Sequence, residues 1–114
     1  DNGRGRIDQT GPGAGRVTVG GAFDNTDGVL RSDGALTLAA TTFDNARGVV
    51  EAATSLAVQA ASIGNAAGTL YGVGALDVRT TGDIASTGTI ASRGTALIDA
   101  GGALRNAGGV VIAD

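Results

Sequence analysis

The sequence predicts an all-β chain wound into a right-handed parallel β-helix, a solenoid of about 20 residues per rung and roughly five rungs. Three observations predict it. Residues recur at a constant step of 20: Phe23, Phe43 and Ile63, then Asn25, Asn45 and Asn65, then Gly28, Gly48, Gly68 and Gly88. Two apolar columns keep the same step, Leu30, Val50, Leu70, Ile90 and Leu38, Val58, Val78, Ile98. Between them lie short segments of alternating polarity, such as Leu36-x-Leu38, Leu56-x-Val58 and Leu76-x-Val78, bounded by Gly, Asp, Asn and Ser. Alternation with a period of two is a strand pattern, and segments this short and Gly-rich cannot sustain helices. One such unit cannot bury its own apolar face, so the units must stack, and stacking makes a rod.

Taken in chain order, residues 23–42, 43–62 and 63–82 align without gaps as three rungs. The fourth, 83–102, retains Gly88, Ile90, Gly94 and Ile98 in step, while its first apolar residue slips by one to Ile84 and Ser86 stands where Asn is expected. A partial rung, 103–114, follows, with Leu104 and Asn106 displaced in the same way. Residues 1–22 read as a degenerate rung in which Arg6-Ile7 and Val17-Thr18-Val19 are strands. The segment 9–16 between them contains Pro12, which cannot donate to a ladder, and is expected to protrude as a loop. The whole chain is therefore one β-helix segment, expected to be excised from a longer repeat shaft, with two or three strands per rung.

In such a coil, equivalent residues stack at the interstrand spacing of about 4.8 Å. Leu, Val and Ile then form interior columns, Phe23 and Phe43 a stacked core column, and Asn25, Asn45 and Asn65 a ladder whose amides bond from rung to rung. The glycine column marks a corner, expected to need a positive φ. Exposed strands at both ends predict end-to-end association of the segment.

Composition narrows the function. The 114 residues include 21 glycines and one proline without a Gly-X-Y pattern, which excludes collagen. The net charge is −3, and all eight basic residues are scattered arginines, so no basic stripe addresses nucleic acid. There is no Cys or His, which removes thiol and imidazole chemistry, and no apolar run long enough to span a bilayer as a helix. No cofactor and no metal site is expected.

The step Phe-Asp-Asn-x-x-Gly-x-(Val/Leu), as in Phe23-Asp24-Asn25 to Gly28 and Leu30, followed by Leu-x-(Leu/Val), resembles the repeats of filamentous haemagglutinin of the Bordetella type and of related two-partner-secretion exoproteins. The similarity is close over 23–82 and looser elsewhere. It implies a very large protein exported through a dedicated outer-membrane pore partner and folded outside the cell, secreted or held at the bacterial surface. The absence of Cys fits this route, since a periplasmic disulfide would obstruct threading. Members of this group serve as adhesins, as haemolysins, or as stalks of contact-dependent growth-inhibition toxins. The resemblance therefore implies a structural segment of an adhesin shaft and no enzyme. Direct binding of host glycans or receptors by the segment is the alternative.

Four features invite a chemical reading. Asp24, Asp27, Asp33 and Asp44 could form an acidic hydrolytic cluster, but Asp24 and Asp44 would stack on consecutive rungs with Gly64 above them, leaving no groove between facing carboxylates. Arg31-Ser32-Asp33 departs from the Arg-Gly-Asp triplet at its centre. Arg31 and Glu51, one rung apart, are expected to pair on the surface. Tyr71, aligned with those two, is expected to face outward.

Overall fold

The computed structural model describes residues 1–113. Asp114, the last residue of the partial rung, lies outside them. Each coil contributes three strands, which settles the number that the sequence left between two and three. The first coil is β1 (Arg6–Gln9), β2 (Gly15–Thr18) and β3 (Ala22–Asp24); the second is β4 (Val29–Ser32), β5 (Leu36–Ala39) and β6 (Thr42–Asp44). The third is β7 (Val49–Ala52), β8 (Ser55–Ala60) and β9 (Ser62–Asn65), and the fourth is β10 (Thr69–Gly72), β11 (Ala75–Thr80) and β12 (Ile84–Ser86). Then come β13 (Thr89–Ser92), β14 (Thr95–Ala100), β15 (Leu104–Arg105) and finally β16 (Val110–Ala113). Among the described residues there is no helix.

The strands assemble into three parallel sheets that form the walls of a prism. One wall is β1-β4-β7-β10-β13-β16, the second β2-β5-β8-β11-β14, the third β3-β6-β9-β12-β15. Along each strand the alternating pattern is resolved into inside and outside: Leu30 and Ser32 point in from β4 while Arg31 points out, and Leu36 and Leu38 point in from β5. The interior is thus a stack of columns. Phe23, Phe43, Ile63 and Ile84 line one wall, Leu30, Val50, Leu70 and Ile90 another, and Leu38, Val58 and Val78 the third, all buried. Removing each such side chain from water stabilises the coil by roughly 1.5–3 kcal/mol before ordering costs. The two Phe rings stack at 5.7 Å between centroids, tilted by 50°. Ile98 is only half-buried, because β14 is the last strand of its wall and nothing covers it.

The slip in the fourth coil is absorbed at two adjacent corners. Ile84 pairs with Ile63, a separation of 21, so the corner before it holds one extra residue. Thr89 pairs with Thr69, a separation of 20, so the next corner is shorter by one and the walls regain register. At the first coil the connection 10–14 is two residues longer than its counterpart 33–35. It is exposed, yet the carbonyls of Pro12 and Gly13 lie against Gly34 of the corner above.

The elongation expected from stacking is not reached at this length. Five coils rising about 4.8 Å each give a segment about as tall as it is wide, with extents of 35 × 31 × 22 Å. A rod emerges only when more rungs are added.

The asparagine column and the outward faces

The corner between the third wall and the first is built from Asn-x-x-Gly turns. In each, the Gly N–H donates to the Asn carbonyl, at 2.9 Å for Gly28 and Asn25 and 3.0 Å for Gly48 and Asn45. The third residue of the turn carries a positive φ: Arg4 at 59°, Asp27 at 57°, Arg47 at 55° and Ala67 at 55°. A positive φ at that position is the type II pattern. It aims the N–H up the axis, where Asp27 donates to Ala46 O at 3.0 Å and Arg47 to Ala66 O at 2.8 Å.

The glycine column therefore has a different cause from the one expected. Gly28, Gly48, Gly68 and Gly88 do not have positive φ; the left-handed residue is the one before the glycine in the first three. The glycines are required by contact. A Cβ on Gly48 would run into the backbone carbonyl of Asn25 in the rung below and lie 2.5 Å from the Asn45 amide oxygen. Both atoms are fixed by hydrogen bonds, so a side chain there has no room.

Inside this corner the asparagine side chains form a continuous chain. Asn25 Nδ2 donates to Asn45 Oδ1 at 2.8 Å, and Asn45 Nδ2 to Asn65 Oδ1 at 2.8 Å. Asn65 Nδ2 continues to Ser86 Oγ at 3.2 Å, where the shortened corner places a hydroxyl instead of an amide. Each Nδ2 also meets the backbone of the next rung, as Asn45 does at Thr69 O, 3.0 Å. All three amides are fully buried, and no buried side-chain polar atom among the described residues lacks a partner. Unpaired, each would cost about 1–3 kcal/mol; paired, they fix one rung on the next, because slipping by a residue would orphan every amide at once.

One further member of this column, Asn2, was missed in the sequence, and Asn106 is the displaced position of the partial rung. Asn2 lies below Asn25 and donates to its Oδ1 at 2.8 Å, and Asn106 heads the column with a bond only to Gly109 O of its own turn, at 3.2 Å. The signal was present: Asn2-x-x-Gly5 and Asn106-x-x-Gly109 repeat the turn motif. For Asn2 it was obscured because its separation from Asn25 is 23.

The outward residues do not converge. Asp24 and Asp44 are register partners with Gly64 next in line. Each carboxylate is occupied in its own corner, Asp24 accepting from Thr26 N at 2.8 Å and Asp44 from Ala46 N at 3.0 Å. The Thr26 bonds hold the Asp24 carboxyl below the ordinary range, the opposite of what a general acid needs. Asp27 is depressed by the bidentate bonds of Arg47, at 2.7 and 2.9 Å. Arg31 and Glu51 pair at 3.2 Å, and Tyr71 follows them on the outside, half-buried between Glu51 and Ala91. Ser32 points into the core with its Oγ donating to Gln9 Oε1 at 2.7 Å, so Arg31, Ser32 and Asp33 share no face. Among the described residues no three His, Cys, Asp or Glu side chains gather to hold a metal ion. An open trough of about 300 Å³ lies on the second wall, lined by Thr37, Ala57, Gln59, Asp77 and Arg79. Arg79 is already engaged by Asp77 at 3.0 Å, which raises its pKa.

The family model described as "Haemagglutinin repeat" matches residues 2–65 and again 52–108. No curated protein and no solved structure matches the chain.

Proposed function

We infer the role of this chain from one premise: it belongs to the haemagglutinin-repeat family. It is a single structural segment of the extended shaft of a secreted bacterial surface adhesin, and it carries no catalysis. The observation that supports this most is the continuity of the interior. Core columns and the asparagine column run through the coil along its axis, while every charged outward side chain is exposed or engaged with a neighbour. Chemistry invested along the axis makes a stiff spacer; each rung adds about 4.8 Å of reach. The parent protein would pass an outer-membrane pore partner and fold at the cell surface, a route that rungs without Cys permit. The same mechanical role would serve the stalk of a growth-inhibition toxin or of a haemolysin.

The competing reading is direct contact with host glycan or protein, for which the trough around Ala57 and Arg79 is the place to look. Both are tested by one experiment: binding of the folded chain to epithelial cells and to sulfated glycans, beside a variant lacking 43–62. As a spacer, both proteins stay bound to nothing, and the deletion variant keeps its β spectrum. Saturable binding that is lost with Arg79→Ala would replace the spacer reading with an adhesive one.

A further inference from the structure

The fourth coil interrupts the amide column, and its corner compensates for the interruption only in part. Elsewhere an Asn-x-x-Gly turn joins the third wall to the first; here Ser86-Thr87-Gly88 does so with one residue fewer. Two hydroxyls stand in for the groups this removes. Thr87 Oγ1 accepts from Ala67 N at 3.1 Å, where a backbone carbonyl receives the equivalent N–H of Asp27 and of Arg47. Ser86 Oγ accepts from Asn65 Nδ2 at 3.2 Å, where an asparagine would offer Oδ1.

Accepting is only half of what an asparagine does in this column. Each amide also gives its Nδ2 hydrogens upward, as Asn45 does to Asn65 Oδ1 at 2.8 Å and to Thr69 O at 3.0 Å. Ser86 is 2% exposed and its side chain has no second polar atom. Above it, the groups that an amide would serve are Asn106 Oδ1 and the carbonyl of Val110, the register partner of Thr89. Among the described residues no side chain donates to either, and nothing accepts from the Ser86 hydroxyl. The surroundings of the glycines agree. Beside Gly48 and Gly68 a Cβ would lie 2.9 Å from the Nδ2 of the asparagine below, whereas beside Gly109 its three nearest neighbours are all oxygens, Asn106 Oδ1, Gly88 O and Ser86 O. Both coils belong to the chain, so the mismatch is independent of what precedes or follows it.

We propose that this corner is a binding site for one water molecule, held by Ser86 Oγ, Asn106 Oδ1 and Val110 O. Two acceptors and one hydroxyl donor are the complement of water, which gives two hydrogen bonds and takes one, and three partners are what a structural water typically has. The span fits as well. Ser86 Oγ stands at the Oδ1 level of its rung, so Asn106 Oδ1 lies one interstrand step above it, about 4.8 Å. One water bridges that separation with two bonds of about 2.8 Å. The column thus continues past the short corner through an exchangeable link, and the fourth coil is joined to the fifth by a ligand where its neighbours are joined by amides.

The test is a crystal structure of the chain fine enough to show ordered water, with the Ser86→Asn variant beside it. One ordered molecule should lie within about 2.5–3.0 Å of all three oxygens. In Ser86→Asn the introduced Nδ2 should take its place and bond Asn106 Oδ1. In solution, water should give a nuclear Overhauser cross-peak to the Ser86 β-protons, which excludes a molecule held only by the lattice. The proposal is overturned if Ser86 Oγ bonds Asn106 Oδ1 directly, if the position holds a metal ion with six or more oxygen contacts at about 2.3–2.6 Å, or if no ordered molecule lies there while the three oxygens are well defined. A water that persists in the folded Ser86→Asn variant overturns it too; if that variant does not fold, the native crystal and the cross-peak decide.

Discussion

At the N-terminal end, residues 2–4 lie across the third wall: Asn2 N donates to Asp24 O at 2.7 Å and Arg4 N to Thr26 O at 2.9 Å. Phe23, on the edge strand they cover, is 4% exposed as a result. The outward residues of β1 are Arg6 and Asp8, and its second inward residue is Gln9, whose amide bonds Ser32 and Gly13. At the C-terminal end the equivalent of Phe23 is Leu104, 47% exposed, and β16 offers Val110, Val111 and Ile112 at 40–49% exposure without a charge. Val111 continues the column in which Leu70 and Ile90 are 0% exposed. The two ends are alike at the first wall, where Ile7 is 41% and Val111 40% exposed, and they differ at the third, where Phe23 is covered and Leu104 is open. A rung's interior residues depend on the next rung for their burial, so sequence identity within a column does not guarantee equal stability along it.

The comparison between interior and ends can be broken in four ways. The largest effect should come from Gly48→Ala, which drives a Cβ into the fixed Asn25 carbonyl. We expect a loss above about 4 kcal/mol in urea unfolding, and a much smaller loss for Gly109→Ala at the open end, where the turn can move. Equal losses would mean that the ends are as constrained as the interior. Next, Asn45→Ala removes two links and leaves Asn65 Oδ1 without its donor, while Asn25 Nδ2 keeps only backbone carbonyls, costing about 1–3 kcal/mol, whereas Asn106→Ala should fall within about 0.5 kcal/mol.

The third concerns association. If the open end is adhesive, the chain should self-associate with rising concentration in sedimentation, and Val111→Lys should weaken this about tenfold or more, near 1.4 kcal/mol. Arg6→Ala at the other end should leave it unchanged. A folded chain that stays monomeric at every concentration would remove the difference between the ends. The smallest effect is electrostatic. Asp27 is depressed by Arg47, so its contribution is present above the ordinary aspartate range and is lost as pH falls through the lowered folded value. Acid titration of stability should flatten slightly in Arg47→Ala, and added salt should erase the difference because the pair is exposed.

The period of 20 was enough to place the strands and the core columns, because a parallel in-register coil converts sequence spacing directly into vertical contact. The candidate site was less legible. The glycines were visible, but the reason for them was not: a collision with the Asn carbonyl of another rung is a contact between residues 23 apart in the chain. Asn2 was hidden for a related reason, since extra residues at a corner shift the count to 23 without shifting the stack.

By itself the sequence determined that this is a parallel β-coil with Leu, Val, Ile and Phe inside and asparagines in line, because periodicity and polarity are local properties that any stacking must respect. Only the tertiary structure decided that each coil has three walls, that a non-glycine residue takes the left-handed turn position, and that the amide column reaches Asn2 and ends its bonded run at Ser86. Those outcomes depend on which carbonyl lies above or below a given atom, and that is fixed only when one rung closes on the next.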